Sequence, residues 1–138
     1  MACPYFHPTR PFREQGRLPV RPPLGGLFEG ECKAGAIPLR PEADQLRELC
    51  NYGYARHGCT HFPSDAEADA VRFLVVSDVG ESIRLAYSIE RNHYPAGAGT
   101  LAFTPRSRAL EGEAPGETLR AQALAYLDRY LEVRDSNS

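Results

Sequence analysis

The residues best suited to chemistry are four cysteines, Cys3, Cys32, Cys50 and Cys59, with 28, 17 and 8 residues between them. All four fall in the first half of the chain, in or beside stretches rich in proline and glycine. None falls in the segments that read as strands or in the final helix, where a core-filling cysteine belongs. Four thiolates complete a tetrahedral metal shell or cap every iron of a cubane. Free cysteine is also among the most buried residue types, so four unrelated buried thiols are the plain alternative. A disulfide or redox pair is the other, and it suits a reducing compartment poorly.

Spacing bears on the choice of metal. Structural zinc mostly draws on close cysteine pairs joined by short loops, and no such pair occurs here. A cubane is larger and gathers cysteines from separate loops. Cys3 is followed by Pro4, as the last cysteine of the bacterial ferredoxin run is, although the compact spacing of that run is missing. Gly58 beside Cys59 and Gly30 near Cys32 would let backbone N–H groups approach sulfur, and such hydrogen bonds tune reduction potential. Tyr5, Phe6, Phe28, Tyr52, Tyr54 and Phe62 could keep water away. The expectation is a [4Fe–4S] cluster held by Cys3, Cys32, Cys50 and Cys59. The alternative is zinc on four cysteines, or on three cysteines and one histidine.

His7, His57 and His61 each lie within a few residues of a cysteine. His61 is the best spare ligand or hydrogen-bond donor to a ligand. All three read more simply as surface or hydrogen-bonding histidines, because four cysteines already fill the shell. A second polar run is Glu90-Arg91-Asn92-His93-Tyr94. Glu90 and His93 have the types of a base and its orienter, which makes a small enzyme the third reading. The simpler account pairs Glu90 and Arg91 across a sheet and starts a turn at Asn92 and His93. Gly97 and Gly99 lack the spacing of a dinucleotide fingerprint, and neither a P-loop nor a nucleophile elbow is present.

The elements that must position these groups divide near residue 65. Residues 1–65 form a proline- and glycine-rich wrap, yet Tyr5, Phe6, Phe12, Leu18, Leu24, Leu27 and Phe28 give it apolar anchors. A long irregular stretch in a compact domain needs a reason, and a metal tying its parts together supplies one. Within it, residues 41–52 predict a short helix with Leu46, Leu49 and Cys50 on one face and Gly53 as its stop. Residues 70–104 predict antiparallel strands. Val71, Phe73 and Val75 share one face, as do Ile83, Leu85, Tyr87 and Ile89, with a turn at Asp78-Val79-Gly80-Glu81. "NHYPAGAG" reads as a loop, "TLAFTP" as a third strand and 105–116 as irregular. Residues 117–134 predict a helix with Leu119, Ala123, Tyr126, Leu127 and Tyr130 on its buried stripe. The fold class is therefore α+β, a three-stranded antiparallel sheet packed on a C-terminal helix with the cysteine wrap at one end.

At 138 residues the chain reads as a single domain, 1–138, and 42% hydrophobic with 25% charged residues is ordinary for a globular protein. A net charge of −2 gives no electrostatic reason to expect nucleic acid. No apolar run approaches a membrane span, and Met1-Ala2-Cys3-Pro4 has no positive n-region or apolar h-region, so a cytoplasmic location is expected. A cluster capped by four cysteines leaves no open position for Lewis-acid catalysis. Electron transfer or redox sensing with a protein redox partner follows as the expected function. The sequence identifies neither that partner nor the oligomeric state.

Overall fold

A computed structural model describes residues 1–11, 23–56, 58–113 and 116–136. Phe12, Leu18 and His57 lie outside them. The fold is mixed α+β, with two sheets rather than one three-stranded sheet. β1 (Phe6–Pro11) and β2 (Phe28–Cys32) form an antiparallel pair. β3 (Ala70–Asp78), β4 (Ile83–Arg91), β5 (Tyr94–Thr104) and β6 (Ala109–Glu111) form a four-stranded antiparallel meander in chain order. Between the sheets in sequence, α1 (Ala43–Gln45) runs directly into a π-helical turn (Leu46–Cys50). α2 (Glu117–Ser136) follows β6.

The meander obeys the period-2 pattern. Val71 and Phe73 of β3, Ile83, Leu85 and Tyr87 of β4, and Leu101 and Phe103 of β5 are buried on one face. Cross-strand partners match them: Phe73 faces Tyr87, Leu85 faces Leu101 and Ile83 faces Phe103. The turn at Asp78 forms as its sequence implies, with the Gly80 N–H donating to Asp78 Oδ1 at 2.9 Å. The β4–β5 connection is tighter than the expected loop. Asn92 and His93 take φ of 51° and 68°, the left-handed pair that a two-residue hairpin turn demands. β5 therefore starts at Tyr94, and most of "NHYPAGAG" is strand. β6 occupies part of the stretch expected to be irregular; three residues are too few to show a period.

The wrap contains a hairpin that its prolines conceal. Pro8 and Pro11 lie in β1, tolerated because β1 pairs on one side, with β2, among the described residues. Cys32 ends β2, contrary to the expectation that no cysteine lies in a strand. Gly30 serves the crossing of these strands: a Cβ there would stand 2.1 Å from the His7 carbonyl oxygen, so only glycine fits.

α2 buries Leu119, Ala123 and Leu127 and lies chiefly along β1. It reaches β3 through Tyr126, whose ring centroid is 5.9 Å from that of Phe73. Its buried Gln122 was not marked by any apolar period. The Gln122 Nε2 donates to the carbonyls of Cys3 and Phe6, each at 2.7 Å, and its Oε1 is buried without a partner. Gln122→Met keeps the bulk but strips the amide donor from the buried Phe6 carbonyl and leaves the Cys3 carbonyl only the Phe6 N–H, so a loss of about 1–3 kcal/mol is expected, read as a lower urea midpoint. No helix among the described residues is long and apolar enough to cross a membrane.

Candidate metal centre

Each cysteine is placed by a different element, and backbone hydrogen bonds tie those elements together. Ala2 pairs with Val71 through two bonds of 2.7 and 2.8 Å, laying the N-terminus along the edge of β3. The next residue, Cys3, donates its N–H to the Cys50 carbonyl at 3.1 Å. A turn follows in which the Phe6 N–H donates to the Cys3 carbonyl at 3.1 Å, and Gln122 grips the same carbonyl.

Cys32 stands opposite Phe6 in the β1–β2 register, and the Lys33 N–H donates to the Tyr5 carbonyl at 2.8 Å. β2 is thereby held against the Cys3 turn. Beyond it, Cys32 and Leu39 exchange two backbone bonds of 2.6 and 3.0 Å.

Cys50 closes the π-helical turn, whose Asn51 N–H reaches back five residues to the Leu46 carbonyl at 3.3 Å. Such turns are rare and recur at functional sites. Asn51 is wholly buried. Its Oδ1 accepts the Phe28 N–H at 3.0 Å, and its Nδ2 donates to the Phe28 and Leu46 carbonyls at 2.9 and 2.8 Å. One amide thus locks the start of β2 to the turn that carries Cys50. Gly53 ends the turn as expected, at φ 77°, and a Cβ there would meet the Met1 carbonyl oxygen at 2.7 Å.

Cys59 sits on a turn in which the Gly58 and Cys59 N–H groups both donate to the Ala55 carbonyl, at 3.0 and 2.7 Å. The loop after it returns to Cys3 through aromatic contact. Phe62 meets Tyr5 edge-on at 5.6 Å, and the Arg56 guanidinium covers Phe62 at 5.1 Å.

Burial pushes the Cys3 thiol up to about 12, and negative charge on Cys32 and Cys59 adds to that; backbone N–H groups of Tyr5 and Phe6 directed at its sulfur pull the other way. Burial likewise pushes Cys50 up to about 12, with added repulsion from Cys3, Cys32 and Cys59. Cys50 therefore feels the charge of all three other thiols. Cys3 and Cys50 are buried, while Cys32 and Cys59 are half-buried. All four are free thiols. Among the described residues, no three His, Cys, Asp or Glu side chains form a ready group for one metal ion. A single zinc needs sulfurs about 2.3 Å from one common centre, which is a tighter gathering than mutual electrostatic reach. Thiolate is a ligand type for soft cations, and two of the four sulfurs are shielded from water.

Among the described residues, neither His7 nor His61 joins the cysteines in a group for one metal ion. His7 lies on β1 with Nδ1 3.4 Å from Thr118 Oγ1, and His61 is exposed. Glu90 and His93 take part in a packing cluster. The Tyr54 hydroxyl donates to Glu90 Oε1 at 2.5 Å and accepts the His93 N–H at 3.1 Å, and the Tyr54 and His93 rings stack at 4.2 Å. Arg72 pairs with Glu90 at 3.7 Å, and Asn92 and His93 form the turn, as the simpler account holds. A cavity of about 860 Å³ between β1 and α2 is lined by neither Glu90 nor His93.

Arg56 and Asp69, unremarkable in the sequence, hold the Cys59 loop. Arg56 donates to Asp69 Oδ1 at 2.9 Å and to the carbonyls of Ser64 and Ala66 at 3.1 and 2.9 Å. Burial works to raise the Asp69 carboxyl, but the Asn92 N–H and the Arg56 guanidinium outweigh it and hold it below its usual range. A depressed carboxyl stabilises the fold above the unfolded value of 3.8 and ceases to do so as pH falls through the folded value. Asp69→Asn is expected to lower the melting temperature at pH 7 and to flatten its fall below pH 4, measured by thermal melts across pH.

Compared with known proteins, the chain matches no family model, no curated protein and no solved structure.

Proposed function

We propose that the chain binds one [4Fe–4S] cluster through Cys3, Cys32, Cys50 and Cys59 and acts in electron transfer or redox sensing. The observation that carries this reading is the tying of four separate segments to one another at their cysteines. Cys3 is bonded to Cys50, the Cys32 strand is paired to the Cys3 turn, and Phe62 after Cys59 packs on Tyr5 after Cys3. Sequence separations of 28, 17 and 8 residues give no local reason for that.

When bound, such a cluster supplies a one-electron couple. The protein's own groups set its surroundings. Cys3 and Cys50 lie buried, where water is kept off their sulfurs. The reading places the protein where thiols stay reduced, as in a cytoplasm. A structural zinc module on the same four thiols, or on three of them and a histidine, is the second reading.

Visible and electron-spin-resonance spectra of protein purified without oxygen separate the two. The cluster reading expects a brown protein whose thiolate-to-iron absorption bleaches with dithionite as a spin signal appears. Colourless protein carrying one zinc per chain would replace it with the zinc module.

A further inference from the structure

Most strand edges of the fold are guarded. β6 has three residues, and β1 contains Pro8 and Pro11. β2 starts under Asn51, which bonds both backbone groups of Phe28, and ends at the Cys32–Leu39 bridge. β3 is the exception. It forms one edge of the meander, and among the described residues the backbone laid along that edge is Ala2, bonded to Val71. Beyond that point run Phe73, Leu74, Val75 and Val76, without proline, glycine or charge. Leu74 is 59% exposed and Val76 50%. A strand of that composition with an open edge is a template for a further strand.

Which backbone groups are open follows from the Ala2 bridge. The N–H and the carbonyl of Val71 both turn away from β4 and bond Ala2. Direction alternates along a strand, so Phe73 and Val75 turn both of their groups to the same side, while Arg72 and Leu74 turn theirs to β4. Among the described residues, no backbone group on that side bonds to Phe73 or Val75. The bulge between Val75 and Ser77 ends the regular run. This open run matches its own copy. With a two-fold axis at Leu74, Phe73 and the partner's Val75 exchange two backbone bonds, and Val75 and the partner's Phe73 exchange two more. Leu74 then faces the partner's Leu74, and Arg72 faces the partner's Val76, so no like charges meet. Every open group of the run is used, and because the pairing consumes the edge, it closes at two copies.

We infer that β3 is a dimer edge, at which a second copy of this chain pairs antiparallel about Leu74 and joins two four-stranded sheets into one. The contact is one strand wide on each side, so the dimer is weak, with a dissociation constant of about 10–100 µM. It uses no cysteine, and its success or failure is separate from that of the cluster reading.

Sedimentation equilibrium and amide hydrogen exchange test the pairing, both on the full chain at rising concentration in reducing buffer, which keeps thiol cross-links from imitating a dimer. The mass is expected to rise from one chain to two across about 5–500 µM. Over the same range the Phe73 and Val75 amides, open in the monomer, are expected to slow by about tenfold, whereas the Leu74 amide, turned to β4, is slow already in the monomer. Leu74→Lys sets like charges face to face on the axis and is expected to weaken dimerisation about tenfold or more. Ile37→Lys makes the same change at a residue 76% exposed and outside the pairing, and is expected to leave dimerisation within about twofold. One chain at every concentration overturns the inference. So do equal weakening by the two variants, growth beyond two chains, and a dimer whose protection falls on other amides. None of these readouts depends on bound metal.

Discussion

Cys50→Ala is expected to abolish metal binding, with iron in the anaerobically purified variant falling to background. Cys50 ends a π-helical turn that is pinned through Asn51 to β2 and through a backbone bond to Cys3, so no other side chain can move into its place. Its thiol also feels the charge of all three other cysteines. Removing a buried sulfur has a packing cost of its own, and Leu46→Ala separates that cost from ligation. Leu46 is buried at the start of the same turn and carries no donor atom. Its truncation is expected to destabilise by about 2–5 kcal/mol while the folded fraction keeps its full metal complement. Metal retained by Cys50→Ala would remove Cys50 from the ligand set.

The second large effect is an alkaline weakness confined to metal-free protein. In the fold, burial first and mutual repulsion next push Cys3 and Cys50 up to about 12, from 9.0 in a free thiol. Below pH 9 both thiols are neutral in the folded and the unfolded chain, and they make no difference between the two. Above pH 9 the unfolded chain releases protons that the fold retains, so stability falls progressively until about pH 12. Each thiol then accounts for a loss of up to roughly 4 kcal/mol at the alkaline end. Bound metal reverses the sign. The ligands are already thiolates, so metal affinity grows as pH rises and acid releases the metal. Melting temperatures between pH 8 and 10.5 should therefore fall steeply for chelator-stripped protein and stay level for metal-loaded protein. Hydrogen exchange should show the loss concentrated in residues 1–65, where the wrap depends on the ties among its cysteine segments.

The parts of the fold that were legible in the sequence are those with strong local period. β4 alternates apolar residues along its length and β3 buries every second residue from Val71 to Phe73, and Asp78 and Gly80 are residues that favour a turn. The α2 stripe and the Gly53 stop were equally plain. Elements were missed where period is absent or disguised. Prolines hid β1, the alternation of alanine and glycine hid the first half of β5, and β6 is too short to have a pattern. Asn51 and Gln122 were invisible for another reason. A buried amide is placed by the backbone groups it must satisfy, and those groups lie far away in sequence.

The candidate site divides in the same way. The cysteines stood out by number and by their concentration in the wrap. Which of them lies beside which depends on the β1–β2 register, on Asn51 and on the Ala2–Val71 bridge, none of which spacing encodes. Gly30 shows the hazard of reading by proximity alone. Its closeness to Cys32 suggested an N–H aimed at sulfur; the constraint that the structure shows there is the carbonyl of His7.

The central claim is that four cysteines distant in sequence hold one iron–sulfur cube. Iron and acid-labile sulfide, assayed on the same anaerobically purified sample against protein concentration, test it most directly. About four irons and four sulfides per chain are the predicted result. Protein that is folded and fully reduced yet contains neither iron nor sulfide, before or after incubation with ferrous iron and sulfide, would contradict it.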